Sequence, residues 1–331
     1  MYILAHKRIF LSITSVFVLA SIAMVGIFGF NSSIDFQGGS VYEVAYEADR
    51  PSLDTLEASV KQELPTAIVQ LSGEQNVLIK DISISEENKK EIQNILSRGG
   101  EIAISDVRFK SLGPAFSAEL VNKSLFAIAL VIVLIIIFIA YAFRGISQPV
   151  SSFKYGLTAV VALAHDTIIP VGVFALLGSI FIDYQIDVLF VTAILATLGY
   201  SVNDTIVIFD RIREILNDYY AKNKSYPRGE EFAKVVGQAV RASLRRSLMT
   251  STTTFVAMIS LAIFGGPTTA PFAYVLAIGV IAGTYSSLAL APILLIIFEH
   301  YTSHDDGDKD NKEDHKDDGI PDDVKRFLAK Q

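Results

Sequence analysis

Six stretches of this chain are apolar for long enough to cross a lipid bilayer: residues 9–30, 124–143, 154–178, 188–209, 247–265 and 272–298. A helix needs about 20 such residues to span the hydrocarbon core. Runs of this length in six places, with 51% hydrophobic residues and a mean hydropathy of +0.43, exclude an ordinary soluble domain. The first run follows Lys7 and Arg8. It is too long for a signal-peptide core and lacks a small-residue cleavage site, so residues 1–30 read as an N-terminus and an uncleaved anchor. Residues 124–299 read as a bundle of the other five helices, and residues 300–331 as a disordered acidic tail with ten acidic and six basic side chains from Tyr301 onward.

Positive charge predicts the orientation. The short loops around Asp183 and Pro267 carry no Lys or Arg, whereas residues 210–246 carry nine. Arg144, Lys154, Lys7 and Arg8 fall on the same side. The expectation is a multi-pass membrane protein with both termini cytoplasmic and residues 31–123 outside.

Those residues are enough for a small domain. Residues 40–47 alternate as a strand. Residues 52–64 place Leu53, Leu56, Val60 and Leu64 at helical spacing after Pro51. Residues 67–71 and 76–82 read as strands joined through Gly73 and Glu74. Ser85 is positioned to cap a helix to Ser97, ended by Gly99 and Gly100, before a last strand at residues 101–109. The order β-α-β-β-α-β is the split βαβ pattern of ferredoxin-like domains. The fold class is therefore a polytopic α-helical membrane protein with a small α+β ferredoxin-like extracytoplasmic domain.

Titratable residues inside the apolar runs carry the chemistry. A carboxylate within a bilayer costs roughly 2.5–3.5 kcal/mol on insertion scales, so such residues are functional candidates by default. Asp204 lies six residues inside Asp210, about 9 Å along a helix axis. The next helix runs back from Arg245 and Arg246, so Arg246 reaches a similar depth and can pair with Asp204. A carboxylate that loses its cation in such surroundings takes up a proton, which is a basis for proton coupling; a static ion pair is the alternative. His165 and Asp166 lie near the middle of the third helix, either as a relay or as hydrogen-bond partners of Ser or Thr on a neighbour. Adjacent helical residues point about 100° apart, so contact between them is not required. Pro170 predicts a kink one turn later. Gly199, Asn203, Thr205 and Thr250 read as helix-packing and polar support, with residues 250–254 as a polar stripe. In the turn after the first helix, Asp35, Gly38 and Gly39 invite tight or left-handed backbone.

Other chemistry is missing. There is no cysteine, hence no disulfide or thiolate site. No phosphate-binding loop occurs, and no basic patch suits nucleic acid. Asp306, Asp308 and Asp310 resemble the start of a calcium loop, but Asn311 replaces its glycine and Asp317 its bidentate Glu. Residues 31–123 show no nucleophile motif or catalytic carboxylate pair, so no enzyme and no cofactor are expected, with protons as the coupling ion.

Several motifs together resemble the SecF family of bacterial protein export. Asp35-Phe36-Gln37-Gly38-Gly39 is similar to its DFxGG turn, Leu112-Gly113-Pro114 to the entry into its second helix, and Ala164-His165-Asp166 to its third-helix HD motif. Gly199-Tyr200-Ser201-Val202-Asn203-Asp204-Thr205, with Phe209-Asp210-Arg211-Ile212-Arg213-Glu214, resembles its fourth-helix signature. Arg246-Ser247-Leu248-Met249-Thr250-Ser251 and Gly265-Gly266-Pro267 resemble the two ends of its fifth helix. The resemblance runs from Met1 to about His300. It implies a place in the bacterial cytoplasmic (inner) membrane and half of a twelve-helix bundle of the resistance-nodulation-division superfamily, completed by SecD. It also implies an accessory role beside SecYEG, after the SecA step, in which proton flow helps pull unfolded preprotein through the membrane. Asp204 is then the proton-handling carboxylate and Arg246 its partner, with His165 and Asp166 in a less defined role. A lipid or small-molecule exporter of the same superfamily, and a passive scaffold, are the alternatives.

Overall fold

The structure, a computed structural model, describes residues 6–300 apart from 83, 86–87, 145–149, 182–183 and 267–268. The acidic tail from residue 301, the calcium-loop resemblance within it, and the loop residues Asp183 and Pro267 lie outside the described residues.

Six helices are long and apolar enough to cross a membrane: α1 (Lys7–Phe28), α5 (Pro114–Ala142), α6 (Ser152–Ile180), α7 (Val188–Asn223), α8 (Glu230–Phe264) and α9 (Ala270–His300). α6, α7 and α9 form the centre, α1 packs on α6, and α5 and α8 flank the bundle. Close approach is made by missing side chains. A Cβ on Gly172 of α6 would fall 2.4 Å from the Cα of Ser21 on α1, and one on Gly279 of α9 2.4 Å from the side chain of Thr197 on α7. Without a hydrophobic drive between helices in lipid, such close packing supplies the attraction. The outer faces of α1 and α5 stay apolar and exposed, as at Phe17, Leu19, Phe126 and Phe138. α6 continues through Pro170 to Ile180.

The basic segment, residues 210–246, is largely helical. α7 has 36 residues and α8 has 35. At 1.5 Å per residue each exceeds the roughly 30 Å hydrocarbon core by several turns. The surplus turns form an antiparallel arm held by Phe209, Ile212, Leu216, Phe232, Val235, Val236 and Ala239, all buried. The buried carboxylate of Glu299 accepts from the Gly229 N–H at the start of α8, tying the arm to α9.

Between α1 and α5 lies a small α/β domain. A one-turn helix α2 (Ile34–Gln37) leads to β1 (Gly39–Tyr46), α3 (Leu53–Glu63), β2 (Ile68–Ser72), β3 (Asn76–Asp81), α4 (Lys89–Leu96) and β4 (Ile104–Leu112). The sheet is antiparallel in the order β2-β3-β1-β4, the arrangement of a split βαβ domain. One face, with Tyr42, Val44, Tyr46, Val69, Val77 and Ile79, buries Leu56 and Val60 of α3 and Ile92 and Leu96 of α4. α4 is described from Lys89, residues 86–87 lie outside the described residues, and Ser85 and Asn88 bond reciprocally, each backbone N–H to the other's side chain.

The opposite sheet face meets the bundle. Val41, Leu78, Lys80, Arg108 and Lys110 line a cavity of about 220 Å³ against Phe190, Phe272, Gln185 and Asp187. The Ser33 N–H donates to the Ile186 carbonyl, and the Ile186 N–H to that of Asn31, which anchors the root of the domain beside α7. Burial pushes the Asp187 carboxyl above its ordinary range, although it accepts from the Phe190 N–H at 2.7 Å.

Gly39 fixes the first strand. Its φ is +129°, and a Cβ there would lie 2.9 Å from the Asp81 carbonyl. We expect Gly39→Ala to lose roughly 1–3 kcal/mol of domain stability, read as faster amide exchange throughout β1 and β3 with the bundle unaffected. Asp106 gathers a second test. Burial works against its charge, but hydrogen bonds from Lys89 (2.7 Å), Tyr42 and Gln93 (2.6 Å) outweigh it and hold the carboxyl below its ordinary value. A carboxylate depressed on folding stabilises above its unfolded value, here near 3.8, and that contribution disappears as pH falls through the folded one. Asp106→Asn is therefore expected to flatten the acid limb of the sheet's melting curve, followed in the amide I band, and a limb unchanged in the variant would refute the assignment.

Candidate site in the membrane core

Two carboxylates occupy the middle of the bundle, and hydroxyls on neighbouring helices hold both. Asp166 on α6 is fully buried. Its Oδ1 lies 2.7 Å from His165 Nδ1, and its Oδ2 accepts from Ser286 Oγ on α9 at 2.6 Å and from Ser201 Oγ on α7. The adjacent pair thus does touch, and the neighbouring-helix hydroxyls expected as an alternative are there as well. His165 is 4% exposed, with its ring centroid 5.7 Å from that of Tyr285. The Tyr285 hydroxyl donates to the Phe10 carbonyl at 2.8 Å and lies 3.0 Å from Thr14 Oγ1, which brings α1 into the same layer.

Asp204 on α7 is half-buried. Its Oδ1 accepts from Ser247 Oγ on α8 at 2.6 Å, and its Oδ2 from Ser287 Oγ on α9. Ser201 stands one turn before Asp204 on α7, so one face of that helix serves both carboxylates. The consecutive residues Ser286 and Ser287 reach different carboxylates from a π-helical turn, Ser286–Leu290, within α9. Such turns occur often at functional sites. Ser251 extends the polar layer, accepting from Tyr200 at 3.0 Å and from Thr284 at 2.7 Å.

Magnitudes separate the two acids. Interhelical hydrogen bonds in membranes are worth roughly 0.6–1.7 kcal/mol each, against an insertion cost of about 2.5–3.5 kcal/mol for a carboxylate. Three partners offer Asp166 about 2–5 kcal/mol and two offer Asp204 about 1–3, so Asp204 is the less compensated of the two.

The expected pairing of Asp204 with Arg246 is not formed. Among the described residues no ion pair involves Asp204, and Arg246 is exposed. The reason is helical phase. Ser243, Ser247 and Ser251 form the buried stripe of α8, one turn apart, and residue 246 stands about 100° away from 247. The predicted stripe at residues 250–254 also faces largely outward, where Thr250, Thr253 and Thr254 donate back to carbonyls of their own helix. Gly199 and Asn203 are likewise exposed on α7, whereas Thr205 is buried. Away from this layer, Asp35 lies in α2, capped by Ser33 and 3.4 Å from Lys110 Nζ, while Gly38 and Gly39 both adopt positive φ.

Ser247, Ser286 and Ser287 were not singled out as site residues by sequence. The available signal was the serine pair in the middle of an otherwise apolar span.

Comparison with known proteins places this geometry. Residues 91–300 match the model of the SecD/SecF C-terminal region of protein export membrane proteins, and residues 23–49 match the SecD/SecF GG motif, which contains Gly38 and Gly39. The chain is 37% identical to the protein translocase subunit SecF of Thermobaculum terrenum over 287 residues, covering 83% of this chain and 86% of that one. It is 31% identical to SecF of Anaerolinea thermophila, with coverage of 90% and 94%. Among solved structures it is similar to SecDF of Thermus thermophilus, described as a translocon-associated membrane protein, with a TM-score of 0.73 and 26% identity over 90% of this chain. SecDF in a super-membrane-facing form gives a TM-score of 0.65. This chain spans 38% and 40% of those two SecDF chains. The curated relatives are named as translocase subunits, a transport role rather than an enzymatic one. The matched regions and the relatives across most of its length agree: this chain belongs to the SecD/SecF family of protein export membrane proteins, on its SecF side.

Proposed function

We propose that this chain is the SecF-type half of a proton-coupled motor of protein export, working with SecD beside the SecYEG channel. It resides in the cytoplasmic membrane with its termini inside and its α/β domain outside, and it assists unfolded preprotein late in translocation. The observation that carries this reading is Asp204, a carboxylate in the membrane layer held only by neutral hydroxyls among the described residues. A charge so sparsely compensated accepts a proton readily when its surroundings change.

Arg246 supplies the change. It adjoins Ser247, the residue that now donates to Asp204. Rotation of α8 by about 100° exchanges the Ser247 hydroxyl for the Arg246 guanidinium. With the guanidinium close, Asp204 is ionised; with it turned away, Asp204 takes the proton. Gly199, Asn203, Arg246 and Thr250 all face outward from this half-bundle. Polar side chains at membrane depth face protein or a hydrated cavity rather than lipid. That face therefore fits a membrane partner, and SecD is the partner that the likeness to SecDF supports.

A passive scaffold is the second reading, favoured by the hydroxyls that lock both carboxylates without a cation. Asp204→Asn separates the two. It keeps the volume and removes the titration. We expect it to abolish gradient-dependent completion of preprotein transport in inverted membrane vesicles while leaving ATP-driven initiation intact; undiminished completion would leave the scaffold. Arg246→Gln should match that loss and Arg246→Lys should recover part of it. Purification of the tagged chain is expected to bring SecD with it, and Asn203→Leu or Thr250→Leu on the outward face to weaken that recovery.

A further inference from the structure

Ser286 and Ser287 carry an inference that rests on the proton-coupled reading and adds to it. Both are fully buried. Each hydroxyl has one hydrogen and two acceptors within reach. Ser286 Oγ lies 2.6 Å from Asp166 Oδ2 and 3.1 Å from the Gly283 carbonyl. Ser287 Oγ is bonded to Asp204 Oδ2 and lies 3.1 Å from the Thr284 carbonyl. A hydroxyl donates only once, so each serine chooses between a carboxylate and its own backbone. The two backbone acceptors are consecutive carbonyls of the turn that leads into the π-helical segment, and the two serines are consecutive residues within it.

We propose that this serine pair is one positioning element that couples Asp166 to Asp204. When Asp204 is ionised, Ser287 donates to it. When Asp204 takes a proton, the new O–H donates to Ser287 Oγ, and the serine hydrogen turns to the Thr284 carbonyl. The count of protons and hydrogen bonds balances: one proton enters from solution, and one donor changes acceptor. That turn of backbone also sets the orientation of Ser286, so the donor on Asp166 responds to the proton on Asp204, and the reverse holds. The remaining groups around the pair fit this role. α6 contributes His165 beside Asp166; α7 contributes Ser201; α8 presents Ser247, with Arg245 and Arg246 exposed; α9 contributes Tyr285, which is held from α1 by Thr14 and the Phe10 carbonyl. No other acid or base bonds to either carboxylate among the described residues. The serines act through the aspartates, as positioning residues.

The test uses the full chain purified with SecD and returned to lipid. Infrared difference spectra between acidic and neutral pH, less those of Asp204→Asn, isolate the Asp204 carboxyl stretch. Ser286→Ala removes a hydroxyl that bonds Asp166 and its own backbone but not Asp204, and Asp166→Asn leaves both serines in place. Both are expected to shift the Asp204 band, as Ser287→Ala does directly. Ser251→Ala removes a hydroxyl that bonds Thr284 but no carboxylate, and is expected to leave the band where it is. A band that moves only in Ser287→Ala makes the two carboxylates independent and overturns the coupling while leaving proton handling at Asp204 intact. An equal shift in Ser251→Ala overturns it as well, because the effect is then general to the helix. Absence of any Asp204 acid band at any pH overturns both the coupling and the proton reading beneath it.

Discussion

Carboxylates in hydrocarbon must find donors, and in this bundle that need fixes how four helices sit against one another. Asp166 takes donors from α7 and α9, and Asp204 from α8 and α9. A hydroxyl reaches only about 3 Å. A slide of half a turn, or a rotation of one residue in α6, α7 or α9, would strand an acid. The small residues beside the layer serve the same end. Gly283 of α9 sits where a Cβ would fall 3.0 Å from Ser201, the residue that bonds Asp166. Close packing and acid satisfaction are thus one constraint with two expressions.

Much of the architecture follows from patterns a few residues long. Apolar length alone defines the six spans, because lipid leaves a backbone few ways to satisfy itself. Alternation and turn residues define the split βαβ domain, because the pleat sends successive side chains to opposite faces. Even so, α8 starts at Glu230, far ahead of its apolar run, since Phe232, Val235, Val236 and Ala239 continue the helix into a basic segment that hydropathy reads as loop. The candidate site divides in the same way. Asp166, His165 and Asp204 stand out because charge within an apolar run is rare. The serines that hold them do not, because a serine in a membrane helix commonly bonds its own backbone and signals no partner. Which residue of the pair Arg246–Ser247 turns inward depends on helical phase against α7 and α9, and no single segment contains that information.

The α/β domain is joined to the bundle with little slack. β1 begins at Gly39, directly after α2, and β4 ends at Leu112, with only Gly113 before α5. Gly39 and Leu112 are themselves paired across the sheet. The two chain crossings between domain and membrane therefore leave from the same end of two adjacent strands. Pro114 at the start of α5 fixes its own φ and prevents the linker from winding further.

Short connections give motion a definite path. A flexible linker would let the domain tumble and lose any displacement made in the membrane. Here a tilt of α5 passes through one residue to β4, and from β4 by its ladder to β1. The second anchor, the backbone bonds of residues 31 and 33 with Ile186, joins the root of the domain to the start of α7. That helix carries Asp204 about four turns further on. On the proposed reading, a displacement of α7 relative to α5 would move the two supports of the sheet by different amounts and turn the domain instead of merely translating it. The cavity between sheet and bundle, lined by Lys80, Lys110, Gln185 and Asp187 among others, lies where that rotation would be felt. The acid layer and the domain would then be the two ends of one lever, with α7 as its arm.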